Sequence, residues 1–255
     1  MNVDLLYERF SAIPKTDQTL LQDFFLKFYR AWFAEGRWMT YFRGLATTIE
    51  VTIIALAIGV VLGVLVAMIR VAHDQQRPGT HNYLLSTLNL ICKVYVTIIR
   101  GTPMMVQLMI MGFVIFSNSR NFTTVGALSL GINSGAYVAE IIRGGLMSLD
   151  GGQMEAGRSL GLNYFQTMRF IVIPQAFKAI LPSLGNEFIV LLKDTSLISV
   201  IAGKEMLYYA KAIAARTYEA MFPYIITAVM YLIMVLIFSY LQGLLERRLR
   251  QSDRR

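Results

Sequence analysis

The chain has 255 residues, 55% of them hydrophobic and only 16% charged, with a formal net charge of +8. Soluble domains carry nearer a quarter charged residues, so this balance argues against a disordered chain, a nucleic-acid-binding tail and a secreted disulfide scaffold. One cysteine, Cys92, cannot form an internal bridge, and two histidines leave little for a metal site.

Residues 1–43 alternate aromatic and charged side chains: Phe24, Phe25, Phe28, Tyr29, Trp32 and Phe33 stand among Asp23, Lys27, Arg30 and Glu35. That pattern predicts an amphipathic segment at the outer membrane surface, with aromatics at headgroup level. The chain then changes character. A helix needs about 20 mostly apolar residues to cross ~30 Å of hydrocarbon. Val51 to Ile69, Gly101 to Ser119, Asn121 to Ala139 and Ala220 to Leu245 hold no charge, and Ala179 to Leu192 holds only Glu187. The fold expected is therefore all-α and polytopic, with five spans over roughly 46–70, 84–117, 122–147, 175–193 and 221–245. The second is too long for one simple crossing, and Pro103 should bend or break it. Within the first, Gly59 and Gly63 have the G-x-x-x-G spacing of a helix-packing face.

Short basic flanks set the orientation. The tail 246–255 holds five arginines and belongs in the cytoplasm, so five spans put the N-terminus outside. The 70–82 connection (Arg70, Arg77) and the loop 144–174 then fall inside, and 194–220 falls outside. His73 and His81 lie in the first of these connections and are expected to be solvated. The positive charge serves topology and contact with anionic lipid, not nucleic acid.

The 149–174 loop is too long to be structureless. Gln153 to Leu160 can form two helical turns, and Gly161 supplies a stop because glycine enters the left-handed region cheaply. Asn163 can cap a second short helix, Tyr164 to Phe170, expected to end before Pro174. A compact helix–glycine–helix protrusion on the cytoplasmic face suits a grip by another protein.

Glu155-Ala156-Gly157, three residues, Gly161, nine residues and Ile171-Val172-Ile173-Pro174 resemble the EAA loop of ABC importer membrane subunits, of the type I architecture. Gly157 stands where the motif has a second alanine, and Ile173 where it has leucine. Arg100-Gly101-Thr102-Pro103 with Gln107, Ala136 to Glu140 with Arg143-Gly144-Gly145, and Leu184 to Leu197 are similar to the permeases for polar amino acids. The likeness covers about 44–245, a transmembrane permease domain.

What the resemblance implies is a non-catalytic permease of the bacterial inner membrane, working with a second copy or a paralogue. ABC ATPase subunits would dock below and an extracytoplasmic solute-binding protein above. Independently, no phosphate-binding G-x-x-x-x-G-K-[ST] occurs; the nearest Gly-Lys, Gly203-Lys204, has Ile198 where the first glycine belongs. No cofactor is expected on this chain, and ATP and magnesium would be held by the partner ATPase. Glu155, Ala156, Gly157, Arg158 and Gly161 are the candidate coupling residues: the small ones allow close approach and the charged ones can pair across the interface.

Glu187 and Asp194, seven apart, face one side of a helix and are candidate ligands for the ammonium of an amino acid or the cationic group of a basic one. The structural alternative gives Glu187 a buried backbone or Lys93 as partner, and makes Asp194 a cap with Thr195 and Ser196. Thr102 and Gln107 flank the proline break and could bind a substrate carboxylate beside Arg100; alternatively, Thr102 satisfies its own kinked helix. The pair of carboxylates favours a basic or polar amino acid over an acidic one, carried by alternating access. The rival class is an ion-coupled secondary transporter or channel, with Glu187 and Asp194 as a cation or proton relay.

Overall fold

A computed structural model describes residues 3–76, 82–150 and 152–252. Arg77, His81, Gly151, Arg254 and Arg255 lie outside the described residues. Within them the chain is helical throughout and holds no strand. Two N-terminal helices, α1 (Val3–Ser11) and α2 (Leu20–Trp32), form a hairpin. Thr19 and Gln22 close a capping box at the start of α2, and Tyr7 stacks on Tyr29 with ring centroids 4.2 Å apart. Left-handed Glu35 and Gly36 then turn the chain into α3 (Arg37–Asp74).

α3 is the spine of the bundle. Its buried positions, Gly44, Thr48, Thr52, Ala55, Gly59, Gly63 and Ala67, recur every three or four residues and so form one stripe of small side chains. That stripe lets α6 (Phe122–Met147) approach closely. A Cβ added at Gly63 would lie 2.5 Å from Val138, and one at Gly59 would lie 2.8 Å from the Ser134 hydroxyl. The G-x-x-x-G spacing in α3 therefore marks a real helix–helix contact. In lipid such packing replaces the hydrophobic drive available in water.

Between them runs α4 (Tyr83–Gly101), capped by Asn82. The break expected at Pro103 is present. The chain is extended at Thr102 and Pro103, then resumes as α5 (Met104–Ile110), which loosens into a π turn over Met111–Ile115. After α6 come α7 (Gly152–Ser159) and α8 (Tyr164–Thr167), then α9 (Ile173–Asp194), a 3-10 segment (Thr195–Ile201), α10 (Met206–Thr217) and α11 (Met221–Ser252).

Contacts identify the two ends of the bundle. At one end, Phe222 at the start of α11 meets Phe24 and Phe28 of α2, and Lys204 meets Thr123 beside the first turn of α6. At the other, Tyr164 of α8 bonds to Gln75 just past α3, and Gln242 of α11 bonds to Pro182 of α9. The N-terminal hairpin and the 194–220 connection thus share one end, and the loop and the arginine-rich terminus approach the other.

α3, α4, α6 and α11 are long and apolar enough to cross a membrane. α9 runs between the same two ends, and its 22 residues extend for about 33 Å. Lys178, Glu187, Lys193 and Asp194 set its composition apart from those four. The main core joins Val51 and Ala55 of α3, Leu108 of α5, Leu130 of α6 and Ile198 of the 3-10 segment. Outward-facing Ile53, Leu65, Leu90, Leu232 and Leu236 are exposed, as expected of surfaces that face lipid.

Candidate coupling loop and translocation residues

The loop is a folded unit. α7 ends in a Schellman motif: the Leu162 amide donates to Gly157 O at 3.0 Å and the Gly161 amide to Arg158 O at 2.9 Å. Gly161 holds φ at +76°, which explains the stop read from sequence. Asn163 and Gln166 form a capping box at the start of α8. Two clamps fix the unit to the bundle. Tyr164 donates its hydroxyl to Gln75 Oε1, and Gln175 of α9 donates to Gln153 of α7 at 3.1 Å.

Two expectations for the loop need correction. The second short helix does not stop before Pro174. α8 passes through a π turn (Met168–Val172) directly into α9, and Pro174 falls in the first turn of α9, where proline's missing N–H is harmless. Nor is Gly157 free for a partner. It is buried against Thr167, whose side-chain atoms lie 2.4–2.6 Å from where a Cβ would stand. The small residue serves the α7–α8 contact. Glu155, Ala156, Arg158 and Gly161 are exposed, and the ion pairs among the described residues include neither Glu155 nor Arg158.

Inside the bundle, Glu187 is 8% exposed and accepts a hydrogen bond from the Ser134 hydroxyl at 2.8 Å. Its partner is thus neither a backbone group nor Lys93. Asp194 is half-buried at the end of α9 and forms no cap bond. Thr195 and Ser196 instead donate back to Leu192 O and Lys193 O, both at 2.7 Å, as hydroxyls do where a helix tightens.

At the proline break, Thr102 donates to Ile98 O at 2.8 Å. Gln107 donates to Ile99 O at 2.8 Å, to Thr102 O at 3.1 Å and to the Thr102 hydroxyl at 2.8 Å. Asn133 of α6 in turn donates to Gln107 Oε1 at 3.0 Å. The carbonyls released by the break are thereby satisfied within the chain. That geometry matches the structural reading of Thr102.

Arg100 lies 5.2 Å above the Tyr137 ring and 4.0 Å from Glu140. Glu140 also pairs with Arg70 of α3 and, at 3.3 Å, with Arg143. One carboxylate therefore joins three helices through three guanidinium groups. A second buried carboxylate, Glu205, is fully enclosed at the N-cap of α10. It accepts from the Leu207 and Tyr208 amides at 2.7 and 2.6 Å and from the Tyr231 hydroxyl at 2.8 Å. Sequence reasoning gave neither residue a role. Their partners are distant in the chain, and only the acidic side chain within an apolar stretch offered a signal.

A helical membrane bundle with a folded protrusion clamped at one end and carboxylates in its interior has the make-up of a transport subunit. The description of the binding-protein-dependent transport system inner membrane component matches residues 59–251. The chain belongs to that family, the membrane permeases of ABC importers, and its place is the bacterial inner membrane.

It is 36% identical over 209 residues to the putative glutamine transport system permease protein GlnP of Rickettsia bellii, covering 81% of this chain and 91% of that protein. The arginine transport system permease protein ArtQ of Bacillus subtilis is 35% identical over 215 residues, with 82% and 92% covered. A crystal structure of an amino acid ABC transporter with histidines superposes with a TM-score of 0.73 at 41% identity, over 82% of this chain and 94% of that one. None of these relatives supports an ion-coupled secondary transporter or channel.

Proposed function

We propose that the chain imports a polar amino acid, with a basic one favoured by the interior carboxylates, as one half of a permease dimer. The second half is another copy or a paralogue. The observation that carries this reading is the 149–174 loop. It is a folded protrusion clamped to α3 and continuous with α9, at the end of the bundle that the arginines assign to the cytoplasm. The names of the relatives, which carry glutamine and arginine, support the substrate class.

In this scheme two ABC ATPase subunits hold ATP and magnesium and grip the exposed side chains Glu155, Ala156, Arg158 and Gly161. Gly157 keeps α7 and α8 in shape from beneath. Closure of the ATPase pair moves the loop, α3 and α9 together, and the spans rock so that a central cavity opens outward. There an extracytoplasmic binding protein releases the solute. Hydrolysis returns the cavity to the cytoplasmic side. Glu187, held by Ser134, and Asp194 two turns further along α9 face the passing ammonium or cationic side chain, while Arg100 takes the carboxylate. α9 serves as the fifth span. The chain itself performs no hydrolysis.

The test is uptake into proteoliposomes holding the permease, its ATPase and its binding protein. Transport should require ATP and all the partners. Equal uptake by the permease alone, or without ATP, would refute the scheme.

A further inference from the structure

The outer end of the bundle bears a cleft of about 770 Å3 between α3, the start of α6 and residues 202–209. Its mouth is cationic. Arg43 on α3, Arg120 just before α6 and Lys204 all line it, all are exposed, and none belongs to an ion pair among the described residues. Lys204 is fixed there because its backbone amide donates to the Thr123 hydroxyl at 2.8 Å. The cleft lining holds one carboxylate, Glu50, so two positive charges remain in excess. The α6 terminus is not the anion site, since Asn121 already accepts from the Thr123 and Thr124 amides.

Below the mouth the lining turns apolar. Descending α3, Arg43, Thr47 and Glu50 give way to Val51, Ile54 and Ile58, opposite Ala127 and Leu128 of α6. From Arg43 to Ile58 the helix descends about 22 Å, more than the ~15 Å of one hydrocarbon leaflet. Ile53 and Ile54 are 55% and 43% exposed, so the lower part is continuous with the lipid-facing side of α3.

A free amino acid is too short to cover the apolar part, and the acidic face of a docking protein reaches only the mouth. One kind of molecule matches both: an anion at headgroup level with a long apolar chain beneath it. We infer that this cleft binds an anionic phospholipid of the outer leaflet, with its phosphate among Arg43, Arg120 and Lys204 and an acyl chain along Ile54, Ile58 and Leu128. The inference rests on the bundle lying in a membrane in the orientation proposed above, and it is independent of the solute carried.

Native mass spectrometry of the full-length chain, titrated with phosphatidylglycerol or phosphatidylcholine of the same acyl chains, tests it. One phosphatidylglycerol should be retained in preference to phosphatidylcholine. The triple variant R43Q/R120Q/K204Q should lose at least about tenfold in affinity for it, since all three cations that attract the phosphate are removed. Glu50→Gln removes the opposing charge and should strengthen retention several-fold; this arm still reports if the triple variant fails to fold. Arg9→Gln on the N-terminal hairpin should change nothing.

In a Trp32→Phe/Trp38→Phe background, Leu128→Trp should give a fluorescence that is quenched by phosphatidylglycerol brominated along its tail. Equal retention by wild type and the triple variant, no response to Glu50→Gln, or an unquenched tryptophan would each overturn the inference. So would a triple variant that weakens docking of the extracytoplasmic binding protein in lipid-free detergent while retaining phosphatidylglycerol unchanged, since the mouth would then belong to a protein partner.

Discussion

The close approach of α7 and α8 makes Gly157→Ala an informative perturbation. Alanine favours a helix over glycine by about 0.5–1 kcal/mol, so on local grounds the change should stabilise α7. The new Cβ, however, would stand 2.4 Å from Thr167 Cγ2 and 2.6 Å from its hydroxyl oxygen. Thr167 is fully buried and donates to Asn163 O at 3.0 Å, so it has little room to yield. Overpacking of this kind costs about 1–3 kcal/mol. The net loss, about 1–2 kcal/mol, corresponds to roughly a 5–30-fold fall in the ordered population of the loop. Hydrogen exchange at the Gly161 and Leu162 amides, whose bonds close α7, should accelerate by that factor, and ATP-driven uptake should fall with it. Adding Thr167→Ala removes both clashing atoms at the cost of one hydrogen bond, about 0.5–1.5 kcal/mol. The double variant should regain much of the protection, with a coupling of about 1 kcal/mol or more. If Gly157→Ala lowers uptake without changing exchange, and Thr167→Ala gives no rescue, then Gly157 meets the ATPase directly and the packing argument is wrong.

Gly161→Ala should also loosen the loop, by about 1 kcal/mol, for a different reason: nothing lies within 4 Å, and the cost is the left-handed backbone alone. Gly161→Asn should cost less in the same exchange measurement. Glu187→Gln preserves size and the Ser134 contact but removes the charge, so uptake of a basic amino acid should fall at least about tenfold with the melting temperature in detergent nearly unchanged. Unchanged uptake would assign Glu187 to packing. Gln107→Ala strips partners from Ile99 O, Thr102 O and Asn133 at once, and should destabilise the purified chain by about 1–3 kcal/mol in thermal unfolding.

The parts legible in the sequence were those written in short-range pattern. Charge-free runs located α3, α6 and α11, Pro103 the break in the second expected span, and Gly161 and Asn163 the two punctuation points of the loop. Pro174 misled, because proline is equally at home in the first turn of a helix, and continuity through a π turn leaves no compositional mark. Gly157 misled because its neighbour, Thr167, is reached only after the chain has turned back on itself. The Glu140 hub draws on residues 70, 100 and 143, and the outer cleft on 43, 120 and 204, so no window of sequence contains either. Gln107 was singled out correctly as a residue of the break, but its amide is directed at the freed carbonyls and Asn133.

The π turn between α8 and α9 has a mechanical consequence. A hinged tether would go slack under compression and would carry only a pull. Here α8 and α9 share one continuous helical path and α7 is packed onto it through the Gly157–Thr167 contact, so under the proposed coupling a shove and a tug at Glu155 would alike be passed on to α9. A device built this way can be driven through both halves of a reciprocating stroke by the same attachment.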